Sequence, residues 1–549
     1  MKYQHLSKRC DKKDMKKKRH RMKLMDKLKV EKTVLKGTLI LTVTSFIVKI
    51  LSAVYRVPFQ NLVGDEGFYV YQQVYPIYGI AMTLSLSGMP VFLSKILASE
   101  ESPTEQKRLT NQFFYYVSVL SVFLFLGLFI GSPLVALMMG DKELAPLIRV
   151  VSFVFLLVPF LSTLRGVFQG EMNMLPTATS QLVEQGIRVG VILFAGWLFY
   201  VNSLDVYAVG SVATSGAIIG GFAAIGVLLY HARGQMTSFY PFPRKKDRQK
   251  SLLRRLIFEG GALCFFSAYL VIFQLIDSFT VKKYLVFSGM PDLSAKIAKG
   301  VFDRGQPLVQ LGLVVAVSMT ATFMPTLTHY YKNKEISDYE SMVTSYLKVS
   351  LAISMAAGVG LALLVPFVNV TLFSNNDGVL TLSFFVLSVS VASMIQTYQT
   401  IYQSQNRVHY QFVAAIFGVL LKSILTPALT YYFGTLGSSI STLFGLLGCL
   451  MVLHHYLVRK GFRLSVGTMF IVKLMASLSM MALLVYLFRY TCVTQGLLNT
   501  HRGMTFVVTL VGVLLGVSVY MISIVKFKLF SYDEWTMLPF GQKIYKHFY

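Results

Sequence analysis

"SLSGMP", residues 85–90, comes back as "TATFMP" at 320–325, an offset of 235. A second pair, "VFQGEMN" (167–173) and "IYQSQNR" (401–407), repeats at 234, with Gln169 answering Gln403. Two matches at nearly one offset imply an internal duplication, and each stretch lies in or beside a run of apolar residues. The chain therefore reads as two homologous halves built from membrane helices. Six helices per half, an even number, would insert both halves in the same sense, related by an axis along the membrane normal. The Met-Pro steps at 89–90 and 324–325 predict kinks at equivalent places, because proline removes a helix hydrogen bond and crowds the preceding turn.

Composition agrees. Of 549 residues, 54% are hydrophobic and only 14% charged, with a mean hydropathy of +0.59. A soluble chain carries about 25% charged residues. Apolar runs of bilayer length recur from end to end, so the fold class is an all-α polytopic membrane protein. Fourteen spans are expected, near 35–57, 69–97, 110–139, 146–169, 177–201, 205–230, 256–281, 297–330, 341–373, 379–403, 410–433, 436–459, 464–489 and 503–526. They divide into a basic head (1–32), an N-lobe (33–232), a basic loop (233–255), a C-lobe (256–460), two further helices (461–527) and a tail (528–549).

The net charge of +27 is concentrated in two blocks. Residues 1–32 hold fourteen Lys/Arg against four Asp/Glu, and 231–255 hold eight against one. Such blocks between apolar spans mark cytoplasmic loops, not a nucleic-acid surface, so both termini are expected in the cytoplasm. Attraction to anionic lipid headgroups is a by-product. The head lacks a small-residue cleavage site and is expected to persist, with Met22 and Met25 as alternative starts. Segment 282–299 strains the scheme, because Lys282, Lys283, Lys296 and Lys299 fall on the outer side.

Ionisable groups within spans are costly and tend to face a cavity or a partner. Lys49 and Arg56 share one face of the first helix. Gln181, Glu184, Gln185 and Arg188 follow i, i+3, i+4, i+7, which suggests a Glu184–Arg188 pair on the fifth helix. Gln396, Gln399 and Gln403 form an uncharged stripe on the tenth. Arg165, near the cytoplasmic end of the fourth helix, reads as an interfacial anchor. Asp277, deep in "FQLIDSFTV", is a candidate proton or sodium site or the partner of a cation. Arg304 in "FDRGQPLVQLG" (302–312) opens the eighth helix with Gln306, Pro307 and Gln310 behind it, and Asp303 is placed to orient it. Lys422 and Lys473 also fall within spans. Asp65 and Glu66 in "GDEG" read as a turn, so Asp65→Asn is expected to leave function largely intact.

No nucleotide loop, H-E-x-x-H or G-x-S-x-G motif is present, so neither an ATP-driven pump nor a hydrolase is indicated. Cys10, Cys264, Cys449 and Cys492 show no metal-binding or disulfide spacing, and no cofactor or metal is expected.

"KGTLILTVTSFIVKILSAVYRVPFQNLVGDEGFYVYQQVYPIY" (36–78), "FQGEMNMLPTATSQLVEQ" (168–185), "RGQPLVQLG" (304–312) and "DEWTMLPFGQKIYK" (533–546) together resemble one family. It is the stage V sporulation protein B-like branch of polysaccharide-biosynthesis flippases, within the multidrug/oligosaccharidyl-lipid/polysaccharide exporter superfamily. The resemblance covers the chain after residue 32. It implies a MurJ-like fold, two six-helix lobes around a central cavity plus two C-terminal helices that help to hold a polyprenyl tail. It also implies arginines on helices one, two and eight that hold the substrate's pyrophosphate. The matching positions are Arg56 and Arg304. Helix two departs, having no Arg or Lys before Lys95, and Lys49 is the candidate to replace the missing cation. Arginine's fork suits phosphate oxygens, and a lipid-linked pyrophosphate carries about two negative charges.

The expected function is flipping of undecaprenyl-pyrophosphate-linked peptidoglycan precursor (lipid II) across the cell membrane by alternating access, with no covalent change and no enzyme activity. The implied partners are that lipid-linked glycan, membrane lipids and cell-wall synthesis proteins. The rivals are a flippase for capsule or teichoic-acid units, a cation-coupled multidrug antiporter, and a membrane glycosyltransferase using Asp65 and Glu66.

Overall fold

The computed structural model of the chain describes residues 40–41, 43–202, 204–233, 250–459, 466–499, 501–538 and 541–548. The basic head, most of the basic loop and Cys10 lie outside the described residues. Among the described residues the regular structure is helical, with no strand.

Eleven helices among the described residues are long and apolar enough to cross a membrane, and one bent pair makes a twelfth. Two of the eleven run 56 residues (Val43–Ala98) and 51 residues (His409–Arg459). At 1.5 Å per residue these are more than twice the roughly 30 Å hydrocarbon core, so neither is a single crossing. Each turns back at a glycine, Gly64 (φ 70°) and Gly434 (φ 60°), where an L-residue would lose about 1–2 kcal/mol. The Tyr55 and Tyr71 hydroxyls meet at 2.9 Å although 16 residues apart. Thr426 and Ser441 likewise meet at 2.9 Å. A straight helix would separate either pair by more than 20 Å. Once both hairpins are recognised, the crossings match the fourteen expected from hydropathy.

These crossings are α1 (43–63), α2 (65–98), α3 (Pro103–Met138), α4 (Ala145–Gly170), α5 (Leu175–Asn202), α6 (Val206–His231), α7 (Ser251–Ser267 with Tyr269–Phe287), α8 (Asp292–Lys332), α9 (Ile336–Phe373), α10 (Val379–Ser404), α11 (408–433), α12 (435–459), α13 (Thr468–Thr494) and α14 (Arg502–Lys526). The α11–α12 hairpin is tight enough that a Cβ on Gly437 would sit 1.9 Å from the Leu429 carbonyl oxygen. Gly437→Ala should therefore destabilise the folded protein by about 2 kcal/mol or more, a loss to be read as a lower unfolding midpoint in detergent.

Buried apolar side chains gather into three large clusters. One draws on residues 55–264, one on 266–457, and one joins α9, α13, α14 and the segment after α14. Helix α7 is divided between the first two. Leu252, Leu256 and Cys264 pack with the first, and Phe266, Tyr269 and Phe273 with the second. The helix bends by 69° at Ala268, two residues past Phe266. The kink expected in α2 is a π-helical turn, Leu84–Gly88, just before Pro90. The end of the bundle carrying Gly64, Asp141 and Arg304 is the one that the loop charges lead one to expect outside, and it is called the outer end on that expectation.

Candidate substrate site and the seam between the halves

Tyr71, Tyr75 and Tyr78 recur at i, i+4, i+7 and so share one face of α2. Their rings stand about 6 Å apart, and Tyr55 from α1 joins them at 6.4 Å from Tyr71. Two guanidinium groups sit on this tyrosine face. Arg56 is fully buried, 4.4 Å over the Tyr75 ring, and none of its three nitrogens makes a hydrogen bond. Arg188 from α5 lies 4.5 Å over Tyr78 and 5.5 Å over Tyr55. Its Nη2 reaches Ser52 Oγ at 3.5 Å, and its Nε and Nη1 have no partner. Neither arginine forms a salt bridge with a carboxylate among the described residues. A desolvated cation–π contact contributes about 2 kcal/mol, whereas burying an ion costs several. The core of the N-terminal half thus holds two guanidinium groups with no carboxylate paired to them among the described residues.

The expected Glu184–Arg188 pair does not form. Glu184 instead binds Arg165 of α4 at 2.6 Å. Arg165, expected at the membrane interface, is fully buried and also donates to Ser180 Oγ and the Ser85 carbonyl, each at 3.2 Å. Ser85 lies in the π-helical turn of α2, where the i→i−4 ladder is disturbed and a carbonyl can serve a side chain. Helical spacing correctly placed Glu184 and Arg188 on adjoining turns, but α4 supplies the closer cation.

The two halves meet along a seam. At the outer end Arg304 stands at a break in α8, between Asp292–Asp303 and Gly305–Lys332. Its Nε and Nη2 donate to Asp65 at 2.9 and 2.6 Å, and its Nη1 donates to Asn375 at 2.5 Å. Asp65 is therefore a partner across the seam as well as a turn residue, which argues against the expectation that its charge is dispensable. Asp303 does not orient Arg304; it pairs with Lys299, one turn back, at 2.5 Å. Arg56 and Asp277 both lie within electrostatic reach of Asp303. The lysines that strained the charge rule also have work at the seam. Lys282 donates to the Gly140 carbonyl at 2.6 Å and pairs with Asp292. Lys296 donates to Tyr207 at 2.8 Å beside Asp141 and Asp292. Asp141 in turn accepts from Tyr69 and Tyr207. At the inner end Lys95 of α2 donates to Asn406 at 3.1 Å, and Gly88 packs directly on Cys264 of α7.

Asp277 is not a free carboxylate. Lys422 of α11 donates to it at 2.8 Å and to Thr442 at 2.7 Å, while Ser438 donates to its other oxygen. The ammonium occupies the position a coupling cation would take. Lys49 is exposed; Gln306 is buried, Gln310 and Gln399 are half-buried, and Gln403 is exposed. No cluster suited to a metal ion exists among the described residues. The tyrosine face, Asp65, Arg165 and Lys422 escaped sequence reasoning as site residues. The tyrosines carried a readable signal in their helical spacing, and Arg165 and Lys422 in being charges within apolar spans.

A separate apolar groove of about 480 Å³ runs between α9, α13 and α14. Gly360, Gly512 and Gly516 give it depth, and Phe530, Trp535 and Leu538 line it from the segment after α14. That segment is held by a capping box, Ser531 with Glu534, and by a Lys348–Glu534 ion pair at 3.1 Å.

Fourteen crossings, a seam of ion pairs and an added helical pair make up a MurJ-like fold. The polysaccharide biosynthesis protein family model matches residues 34–331, and the chain belongs to that family. It is 34% identical over 523 residues to the uncharacterized membrane protein YabM of Bacillus subtilis, covering 93% of this chain and 96% of that one. It is 26% identical over 442 residues to the lipid II flippase MurJ of the same organism, covering 76% and 81%. In structure it resembles a lipid II flippase MurJ in an inward closed conformation, with a TM-score of 0.69 at 15% identity over 89% of this chain and 98% of the other. An inward-facing multidrug transporter of the superfamily matches with a TM-score of 0.61 at 13% identity, over 75% and 94%.

Proposed function

We propose that this protein flips undecaprenyl-pyrophosphate-linked glycan precursors, lipid II foremost, from the inner to the outer leaflet of the cell membrane, with both termini in the cytoplasm. The observation that carries the reading is Arg56, a fully buried cation with no anionic partner beside the seam. A pyrophosphate reaching Arg56 as the lobes part would supply the missing charge, with Arg304 released from Asp65 to join it. The groove between α9, α13 and α14 offers the prenyl tail an apolar path. No bond in the substrate changes; the lobes rock about the seam. The antiporter alternative loses its best acidic residue, because Glu184 is already neutralised by Arg165.

The test is the accessibility of lipid II at the outer face of cells depleted of this protein and of any other flippase. Accessibility should collapse, return with the wild-type gene, and fail to return with Arg56→Ala. Undiminished accessibility on depletion would sink the reading. Restoration by a capsule or teichoic-acid assay instead would reassign the glycan.

A further inference from the structure

We propose that the inner end of the N-terminal half holds the headgroup of one phosphatidylethanolamine molecule from the surrounding bilayer. Helices α3 and α6 both pack on α4. At their inner ends lies a pocket of about 380 Å³, with Leu97 of α2 in its wall. Sites for small ligands run from about 300 to 1,000 Å³. The wall is apolar where Leu97, Leu164, Val167 and Phe168 line it. Lys107 of α3 and Glu171, the residue that follows α4, bring opposite charges to the same pocket. Neither forms an ion pair among the described residues. Thr163, also in the lining, is 1% exposed, and its hydroxyl has no hydrogen-bond partner.

Charge decides which ligand. An ammonium and a carboxylate left unpaired in one pocket suit a molecule that carries both charges itself. The pocket walls strip water from Glu171 and raise its carboxyl above the ordinary value, as happens where no cation stands beside it. Phosphatidylethanolamine offers a phosphate to Lys107 and an ammonium with three donors to Glu171. Its ester oxygens are acceptors for Thr163, and its acyl chains cover the apolar wall. Phosphatidylcholine has no N–H to donate. Phosphatidylglycerol has no cation and sets its charge against Glu171. Free phosphoethanolamine would leave the apolar wall bare. The pocket lies at the end expected inside, level with the headgroups of the inner leaflet. Leu97 is two residues from Lys95, which donates to Asn406 across the seam, so the lipid braces the helix end that closes this side. The site does not depend on what the protein transports.

The full-length protein, purified in detergent, should be unfolded thermally in micelles doped with dioleoyl phosphatidylethanolamine, phosphatidylcholine or phosphatidylglycerol. The ethanolamine lipid should raise the midpoint by several degrees over the other two, as binding to the native state alone requires. Glu171→Gln should remove its advantage over phosphatidylcholine, and Glu171→Lys should turn the preference to phosphatidylglycerol. Lys107→Gln should shrink the ethanolamine effect. Equal midpoints in the three lipids, or an unchanged preference in Glu171→Lys, would overturn the inference. So would an equal shift with free phosphoethanolamine, which would make the ligand a soluble one. Should the variants not fold, native mass spectrometry of the wild type decides. Phosphatidylethanolamine retained after the other two are stripped away supports the site, and loss of all three together refutes it. Lipid II accessibility unchanged on depletion, with the lipid preference intact, would count against the transport reading alone.

Discussion

Arg304→Ala should abolish flipping, and Asp65→Asn should come close to it. Arg304 is fully buried and grips Asp65 through two nitrogens, with Asn375 on the third. Removing one partner of a buried pair costs about 3–5 kcal/mol, chiefly because the other charge is left unpaired. Asp65 retains some solvent, so the lower end of that range applies. Even so, about 3 kcal/mol is roughly a hundredfold shift in the balance between closed and open outer states. Two effects combine in Arg304→Ala, the loss of the latch and the loss of a candidate phosphate ligand. Asp65→Asn loses only the latch. A double-mutant cycle read in a flipping assay should show strong coupling between them, and additive losses would mean that the latch is not functional. Asp303→Asn leaves the Arg304 contacts intact but strands the buried Lys299, so it should cost stability by a comparable amount while sparing the latch.

The second large effect concerns Asp277 and Lys422. Either Asp277→Asn or Lys422→Met alone should lower stability by about 3–5 kcal/mol, since each strands a buried charge. The double variant should recover most of the loss, because two neutral side chains replace a neutral pair. Thermal unfolding of the purified proteins measures this directly. If the double variant folds as stably as wild type yet flips nothing, Asp277 has a role in the cycle beyond holding α7 to α11 and α12. If it flips normally, the pair is structural.

Much of the fold could be read in advance because its signals are local or periodic. Apolar runs of bilayer length set the crossings, and the repeat at 235 and 234 residues suggested the pairing of halves. Span ends were less legible: α1 and α2 are joined by a single-residue turn at Gly64, which a hydropathy window blurs. The site was harder for a different reason. Arg56, Arg304 and Asp277 could be singled out because a charge within an apolar span is conspicuous. Their partners could not, because Asp65 is 239 positions from Arg304 and Lys422 is 145 from Asp277. Where a partner was guessed from helical spacing, as for Glu184 with Arg188, a residue from another helix prevailed. The lysines of 282–299 looked like errors in topology until Gly140, Asp141 and Asp292 explained them.

The Asp277–Lys422 pair has an electrical consequence. Plus and minus held at 2.8 Å travel together, so the pair carries no net charge through the membrane field whichever way its lobe turns. Voltage can do no work on it. Arg56 differs, for an uncompensated charge that crosses the whole field exchanges about 2.3 kcal/mol per 100 mV. On the proposed cycle a pyrophosphate brings about two negative charges to that one positive charge, so the empty and the loaded carrier would differ in the sign of the charge they expose to the field, and the membrane potential would act on both legs.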